Sequence, residues 1–285
     1  MAKNEKNKKR KSVVEGQEGQ AKRHKDDAWA VYNESILSCS ELRRRVLTEF
    51  AAESSYPCAV AKCLLHGWGV GRKQDEDEAL KIFRKEAGKS DAHAQNELGE
   101  CYKNGKGVVV DKAKAVKWYT KAAEQRHAVA QYNLGVCYYN GKGVVMDEAK
   151  AVKWYTKAAE QGNAVAQYNL GVCYDNGDGV VGDKVKAVEW FTKAAEQGDA
   201  YAQNELGVCY DNGDGVVVDK VKAVELFTKA AEQGNADAQY NLGRCYYNGD
   251  GVVVNKAKAV EWFTKAAEQG YARAQNRLRE LYFGG

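Results

Sequence analysis

The apolar and polar positions of this chain repeat with a period of 36 residues. Leu98 returns as Leu134, Leu170, Leu206, Leu242 and Leu278, and a set of small and aromatic residues returns with it. Two helical stripes are legible in each period. Ala94, Leu98, Cys101 and Tyr102 are spaced i, i+4, i+7, i+8, and Ala115, Trp118, Tyr119, Ala122 and Ala123 are spaced i, i+3, i+4, i+7, i+8. Both spacings gather apolar side chains on one face of a helix. Lys112, Lys114, Lys117, Lys121 and Glu124 fall on the other face of the second helix. A fixed period of this length marks stacked units that bury their apolar faces only against each other.

Capping residues set the helix ends. Asp91, Asn163, Asp199 and Asn235 precede the first helix, and Asp111, Asp147, Asp183, Asp219 and Asn255 precede the second. Their side chains can accept from free first-turn N–H groups. Gly162, Gly198, Gly234 and Gly270 follow the second helix, where a left-handed residue is favoured. Arg126 holds that place in the first full unit, so the 126/127 junction is expected to be less regular. Gly99 and its counterparts 135, 171, 207 and 243 lie inside the first helix. Glycine there costs about 1 kcal/mol relative to alanine, which predicts that a partner helix passes close by.

These signals divide the chain into a disordered basic tail (1–27), N-terminal capping helices (28–53), a degenerate repeat (54–90), five full units (91–270) and a closing half unit (271–285). The fold expected is all-α, a solenoid of antiparallel helix pairs. A single proline, Pro57, agrees with that.

The unit Ala-x-Ala-Gln-x-x-Leu-Gly-x-x-Tyr-x-Asn-Gly-x-Gly-Val, followed by Asp-x-x-Lys-Ala-Val-x-Trp-Tyr/Phe-x-Lys-Ala-Ala-Glu-Gln-Gly, resembles the Sel-1-like repeat, a relative of the tetratricopeptide repeat. The resemblance covers roughly 54–285. Val109, Val145, Val181, Val217 and Val253 stand where the family often has proline. It implies a right-handed α-solenoid that acts as a non-enzymatic adaptor for other proteins, and it carries over no catalytic residues.

The residues themselves point the same way. Gly-Lys-Gly and Gly-Asp-Gly lie in inter-helix turns with no preceding strand and no Lys-Ser/Thr, which does not make a nucleotide loop. His24, His66, His93 and His127 never share a repeat position. Cys101, Cys137, Cys173, Cys209 and Cys245 recur once per unit without a histidine, so neither zinc nor any other cofactor is expected. Neighbouring equivalent helices are about 8–10 Å apart or more, too far for a disulfide. Buried thiols in a reducing, intracellular compartment are the expectation.

By analogy to tetratricopeptide arrays, the first helices line the concave face. Tyr132, Val136, Tyr139, Tyr168 and Val172, with Tyr240 and Tyr247 further along, form an aromatic and aliphatic strip there, beside the acidic Asp175 and Asp211. Such a strip suits a protein or peptide partner with apolar and basic residues. In the tail, Lys8, Lys9, Arg10 and Lys11 precede Lys22, Arg23 and Lys25 by a spacing that resembles a bipartite nuclear-import signal, with an import receptor as its partner. The expected location is nucleus or cytoplasm, the expected state a monomer, and a membrane is not expected as partner. Nucleic acid is not the expected partner either, because the unit 199–234 has 3 Lys against 7 Asp/Glu. Two alternatives stay open: a nucleic-acid-associated protein using the basic tail, and a regulatory subunit of a protein-degradation complex.

Overall fold

The computed structural model describes residues 57–66 and 75–283. The basic tail and the capping helices of 28–53 lie outside the described residues. The chain divides into two compact units, 1–89 and 90–285.

The first unit contains α1 (Pro57–His66) and α2 (Glu76–Gly88), packed on one another. Asp75 caps α2 by accepting from the Glu78 N–H at 2.9 Å. Ala61, Leu65, Ala79, Leu80 and Phe83 are buried.

The second unit is a stack of helices. The first helices of its repeats are α3 (Ala92–Asn104), α5 (Ala128–Asn140), α7 (Ala164–Asn176), α9 (Ala200–Asn212), α11 (Ala236–Asn248) and α13 (Ala272–Phe283). The second helices are α4 (Lys112–Glu124), α6 (Glu148–Ala159), α8 (Lys184–Glu196), α10 (Lys220–Glu232) and α12 (Lys256–Glu268). Within this unit successive helices pack on one another. The core runs on from one repeat into the next: Ala151, Val152, Tyr155, Ala158 and Ala159 of α6 close against Ala166, Leu170 and Cys173 of α7. Each unit thus completes the hydrophobic surface of its neighbour, which is why the period is so strict.

The caps form where the sequence places them. Asp91, Asn163, Asp199 and Asn235 accept from the N–H three residues on, at 2.6, 2.8, 2.8 and 2.8 Å. In the one full unit without an Asn or Asp there, His127 Nδ1 accepts from the Ala130 N–H at 3.2 Å. The expectation for the 126/127 junction is corrected. Arg126 takes the left-handed φ of +65°. Its N–H donates to the Ala123 carbonyl at 3.0 Å and that of His127 to Ala122 at 3.2 Å, the same pair of bonds that Gly162 and Asn163 make. The turn is therefore as regular as the others, and the departure is confined to one strained torsion.

Two glycine columns set the spacing of the stack. A Cβ on Gly135 would lie 2.6 Å from Cδ1 of Tyr155, so α5 and α6 meet ring against backbone as the buried glycine predicts. The second glycine of four Gly-x-Gly turns, Gly143, Gly179, Gly215 and Gly251, meets the preceding repeat instead. A Cβ on Gly143 would lie 2.3 Å from the carbonyl oxygen of Lys112, and one on Gly215 2.3 Å from that of Lys184.

Buried glutamines, which the apolar pattern passes over, tie successive helices together. Gln131 Nε2 donates to the Ala123 carbonyl at 3.0 Å, and its Oε1 accepts from Gln161 Nε2 at 2.6 Å. The same link recurs between Gln203 and Gln233 at 2.8 Å. Each buried amide is thereby satisfied, which a polar group in a core requires.

Candidate functional site: the face of the first helices

The column of first helices carries the positions expected to meet a partner. Tyr132, Val136, Tyr139, Tyr168, Val172, Asp175, Tyr240 and Tyr247 are all half-buried. Their inner edges pack on the core: Tyr132, Val136 and Tyr139 against the α6 and α7 cluster, Tyr168 and Val172 against the cluster around Phe191. Ring centroids are 6.0 Å apart for Tyr132 and Tyr155, 6.0 Å for Tyr168 and Phe191, and 5.6 Å for Tyr240 and Phe263. Each tyrosine therefore leans on the ring of its own second helix and presents only part of itself outward. Tyr168 also meets Tyr201 of the next repeat at 5.9 Å, and Tyr240 meets Tyr271 at 5.4 Å.

The hydroxyl end of Tyr139 is held as well. Tyr139 donates to Asp178 Oδ2 of the next repeat at 2.9 Å, and that bond, with burial, pushes its phenol up to about 12. Burial, reinforced by the Glu205 carboxylate, pushes Tyr168 up to about 12. Both tyrosines stay neutral hydrogen-bonding groups at ordinary pH.

The acidic stretch is arranged differently from the expectation. Asp211 is only 7% exposed, and its carboxylate accepts from Lys220 Nζ at 2.6 Å and from Arg244 Nη2 of the next repeat at 3.1 Å. It is an inter-repeat tie, not a carboxylate offered to a partner. Asp175 accepts from Lys184 Nζ at 2.7 Å. The carboxylate that the sequence reading passed over is Glu205 on α9. It is half-buried, accepts from Asn204 Nδ2 at 3.1 Å, and is held above the ordinary range by burial. The signal was present in the repeat alignment, because Asn204-Glu205 stands where α5, α7 and α11 have Tyr-Asn.

The second helices present another surface. Lys121, Lys157, Lys193 and Lys265 hold their ammonium groups 4.4, 4.2, 4.0 and 4.0 Å from the rings of Trp118, Trp154, Trp190 and Trp262. The tryptophans expected in the core are thus half-buried with a lysine lying over them, an arrangement that covers an apolar ring while leaving the charge in water. Burial pushes the thiols of Cys173 and Cys209 up to about 12, so these are inert packing groups. Among the described residues no group of three His, Cys, Asp or Glu side chains could hold a metal ion, and no helix is long and apolar enough to cross a membrane.

A family model described as the Sel1 repeat matches residues 58–87, 92–127, 128–163, 164–199, 200–235 and 236–271. The chain belongs to the Sel1 repeat family. That makes six repeats, the first of them the degenerate copy. Among solved structures, the chain is similar to c5321, a protective antigen present in uropathogenic Escherichia coli strains, which displays an SLR fold. The two are 39% identical with a TM-score of 0.73, over 82% of this chain and 50% of that one. The chain thus spans about half the length of the E. coli protein. It is also similar to a Sel1 repeat protein from Oxalobacter formigenes, 34% identical with a TM-score of 0.73, over 79% of this chain and 88% of that one. No curated protein matches the chain. The matching family is one of structural repeats and indicates no catalytic class. Both structural relatives are bacterial, which gives no support to a nuclear location. The residues read as an import signal, Lys8 to Lys11 and Lys22 to Lys25, lie outside the described residues.

Proposed function

We propose that this Sel1 array is a scaffold that binds a protein or peptide partner along the face of its first helices. One observation carries the reading: the positions that hold the stack together stay nearly constant from copy to copy, while those on this face vary. Leu, Gly and Cys recur at 134, 135 and 137 and their counterparts, whereas 132 and its counterparts alternate between Tyr and Asn, and 136 runs through Glu, Val and Arg. Half-exposed tyrosines in pairs supply contact area with little conformational entropy to lose. The E. coli relative's description as a protective antigen is compatible with a surface that other proteins engage, and goes no further.

The test is affinity capture with the wild-type chain, followed by capture with Tyr139→Phe and Tyr201→Ala. Tyr201 is 62% exposed, so its removal should spare the fold. Loss of a specific protein from the Tyr201→Ala capture at an unchanged melting temperature supports the proposal. An identical set of captured proteins, or none with the wild type, sinks it.

A further inference from the structure

The tyrosine column of the first helices is interrupted once between two tyrosine-bearing neighbours. α7 carries Tyr168 and α11 carries Tyr240, but the equivalent residue of α9 is Asn204. Asn204 is 4% exposed, its Oδ1 accepts from Asn241 Nδ2 of the next repeat at 3.0 Å, and its own amide donates to Glu205 Oε1 at 3.1 Å. Where the neighbouring repeats have a ring, this one has a polar floor that ends in a carboxylate. Tyr168 with Tyr201 stands on one side, ring centroids 5.9 Å apart, and Tyr240 with Tyr271 on the other, 5.4 Å apart.

The charges that act on Glu205 have one sign. Burial chiefly disfavours the ionised form of Glu205, and Asp237 and Asp175 add to it. Tyr168 in turn feels Glu205, Asp199 and Asp237. Three cations near the face are engaged elsewhere, Lys184 with Asp175, and Lys220 and Arg244 with Asp211, while Arg273 acts on Tyr271 rather than on Glu205. Among the described ion pairs neither Glu205 nor Asp237 takes part. A half-buried carboxylate outside the described ion pairs, on the helix between those that carry Tyr168 and Tyr240, is complementary to a flat cation that can stack on tyrosine while donating to the carboxylate. Guanidinium fits that description better than ammonium, because its planar fork stacks and donates at once. A metal ion fits less well, since no grouping of three ligating side chains is present among the described residues.

We infer that the Asn204/Glu205 interruption between Tyr168 and Tyr240 is a subsite for an arginine side chain of the bound partner. This rests on the scaffold reading above and narrows it to one side-chain class at one repeat. It replaces the acidic stretch of Asp175 and Asp211, whose carboxylates are occupied from within the array.

The test uses the full chain and two short synthetic peptides, acetyl-Ala-Leu-Arg-Leu-Ala-amide and its citrulline counterpart, which keeps the shape and loses the charge. Binding is followed by amide chemical-shift changes. The arginine peptide should move the resonances of α9 and α11 around Glu205 and Asn241, and the citrulline peptide should bind about tenfold more weakly or not at all. Glu205→Gln should reduce arginine-peptide affinity by a similar factor. The swap Asn204→Tyr with Glu205→Asn gives this repeat the sequence its neighbours already carry, so it should fold as they do and abolish the response. Equal binding of the citrulline peptide, retained binding in the swapped chain, or shifts confined to other repeats would each overturn the inference. Should the swapped chain still capture the wild-type set of partners, the scaffold reading survives and the arginine subsite alone falls.

Discussion

Arg244 on α11 donates to the buried carboxylate of Asp211 on α9 at 3.1 Å, across the boundary between two repeats. Lys220 reaches the same carboxylate from α10 at 2.6 Å. In three other repeats the position of Arg244 is valine, at 136, 172 and 208, so this tie belongs to one junction. Asp211→Asn keeps the shape and leaves two cations facing a neutral amide. Loss of about 1–3 kcal/mol in urea unfolding is expected. Arg244→Val should lose less, about 1 kcal/mol at most, because the guanidinium end is still partly in water. If the two variants lose the same amount, the carboxylate's burial is not what matters.

The Gly-x-Gly turns make a sharper prediction. Gly215→Ala would place a methyl 2.3 Å from the Lys184 carbonyl oxygen, at a backbone φ of +72°. Overpacking against rigid backbone adds to the left-handed penalty, and about 2–4 kcal/mol should be lost. Gly198→Ala, with φ +89° but nothing within 4 Å, should show the torsional part alone, about 1–2 kcal/mol. Similar losses for the two would mean that the repeats can shift apart, and that the turn does not set their spacing.

Arg126 holds a left-handed torsion that glycine adopts freely, at the end of a helix where four other repeats have Gly. Arg126→Gly should therefore stabilise the array by about 0.5–1 kcal/mol, after the extra chain entropy of glycine is subtracted. The reverse change in the next repeat, Gly162→Arg, should cost a similar amount, since its Cβ meets nothing within 4 Å. Denaturant melts of the two variants check both signs.

Acid should weaken the caps of the second helices. Asp111 and Asp183 are held below the ordinary carboxylate range chiefly by the backbone N–H of Lys114 and Lys186, and Asp147 chiefly by its side-chain bond with Lys150. A carboxyl depressed in the folded state adds stability above its unfolded value of about 3.9, and that stability is lost as pH falls through the lower folded value. Asn255 caps α12 at the same position without titrating. Changing Asp111, Asp147 and Asp183 together to Asn should leave the neutral melting temperature nearly unchanged. The fall in melting temperature between about pH 5 and about pH 3 should become shallower. Asp199 and Glu205, raised by burial, work in the opposite direction and remain in the variant as an internal contrast. An unaltered acid limb would assign the pH dependence to other carboxylates.

The sequence by itself determined the period, the two helices of each unit, their caps and the glycines that end them. These are local properties: a side chain that caps, or a residue that tolerates a left-handed torsion, acts within a few positions of itself. Repetition then made the stacking legible as well, since Leu134 and Cys137 recur only if every copy meets the same neighbour. The tertiary structure decided what the solvent sees. Asp211 reads as a surface acid but is nine-tenths hidden because a lysine nine residues on and an arginine one repeat away fold over it. Trp118 reads as core but lies half-exposed beneath Lys121. Glu205 reads as an ordinary charged position, and only the packing of the helices half-buries it where its charge is felt by Tyr168 of the preceding repeat. Charge pairing across repeats depends on distances that a one-dimensional pattern does not contain, so the frame could be read from the chain and the site could not.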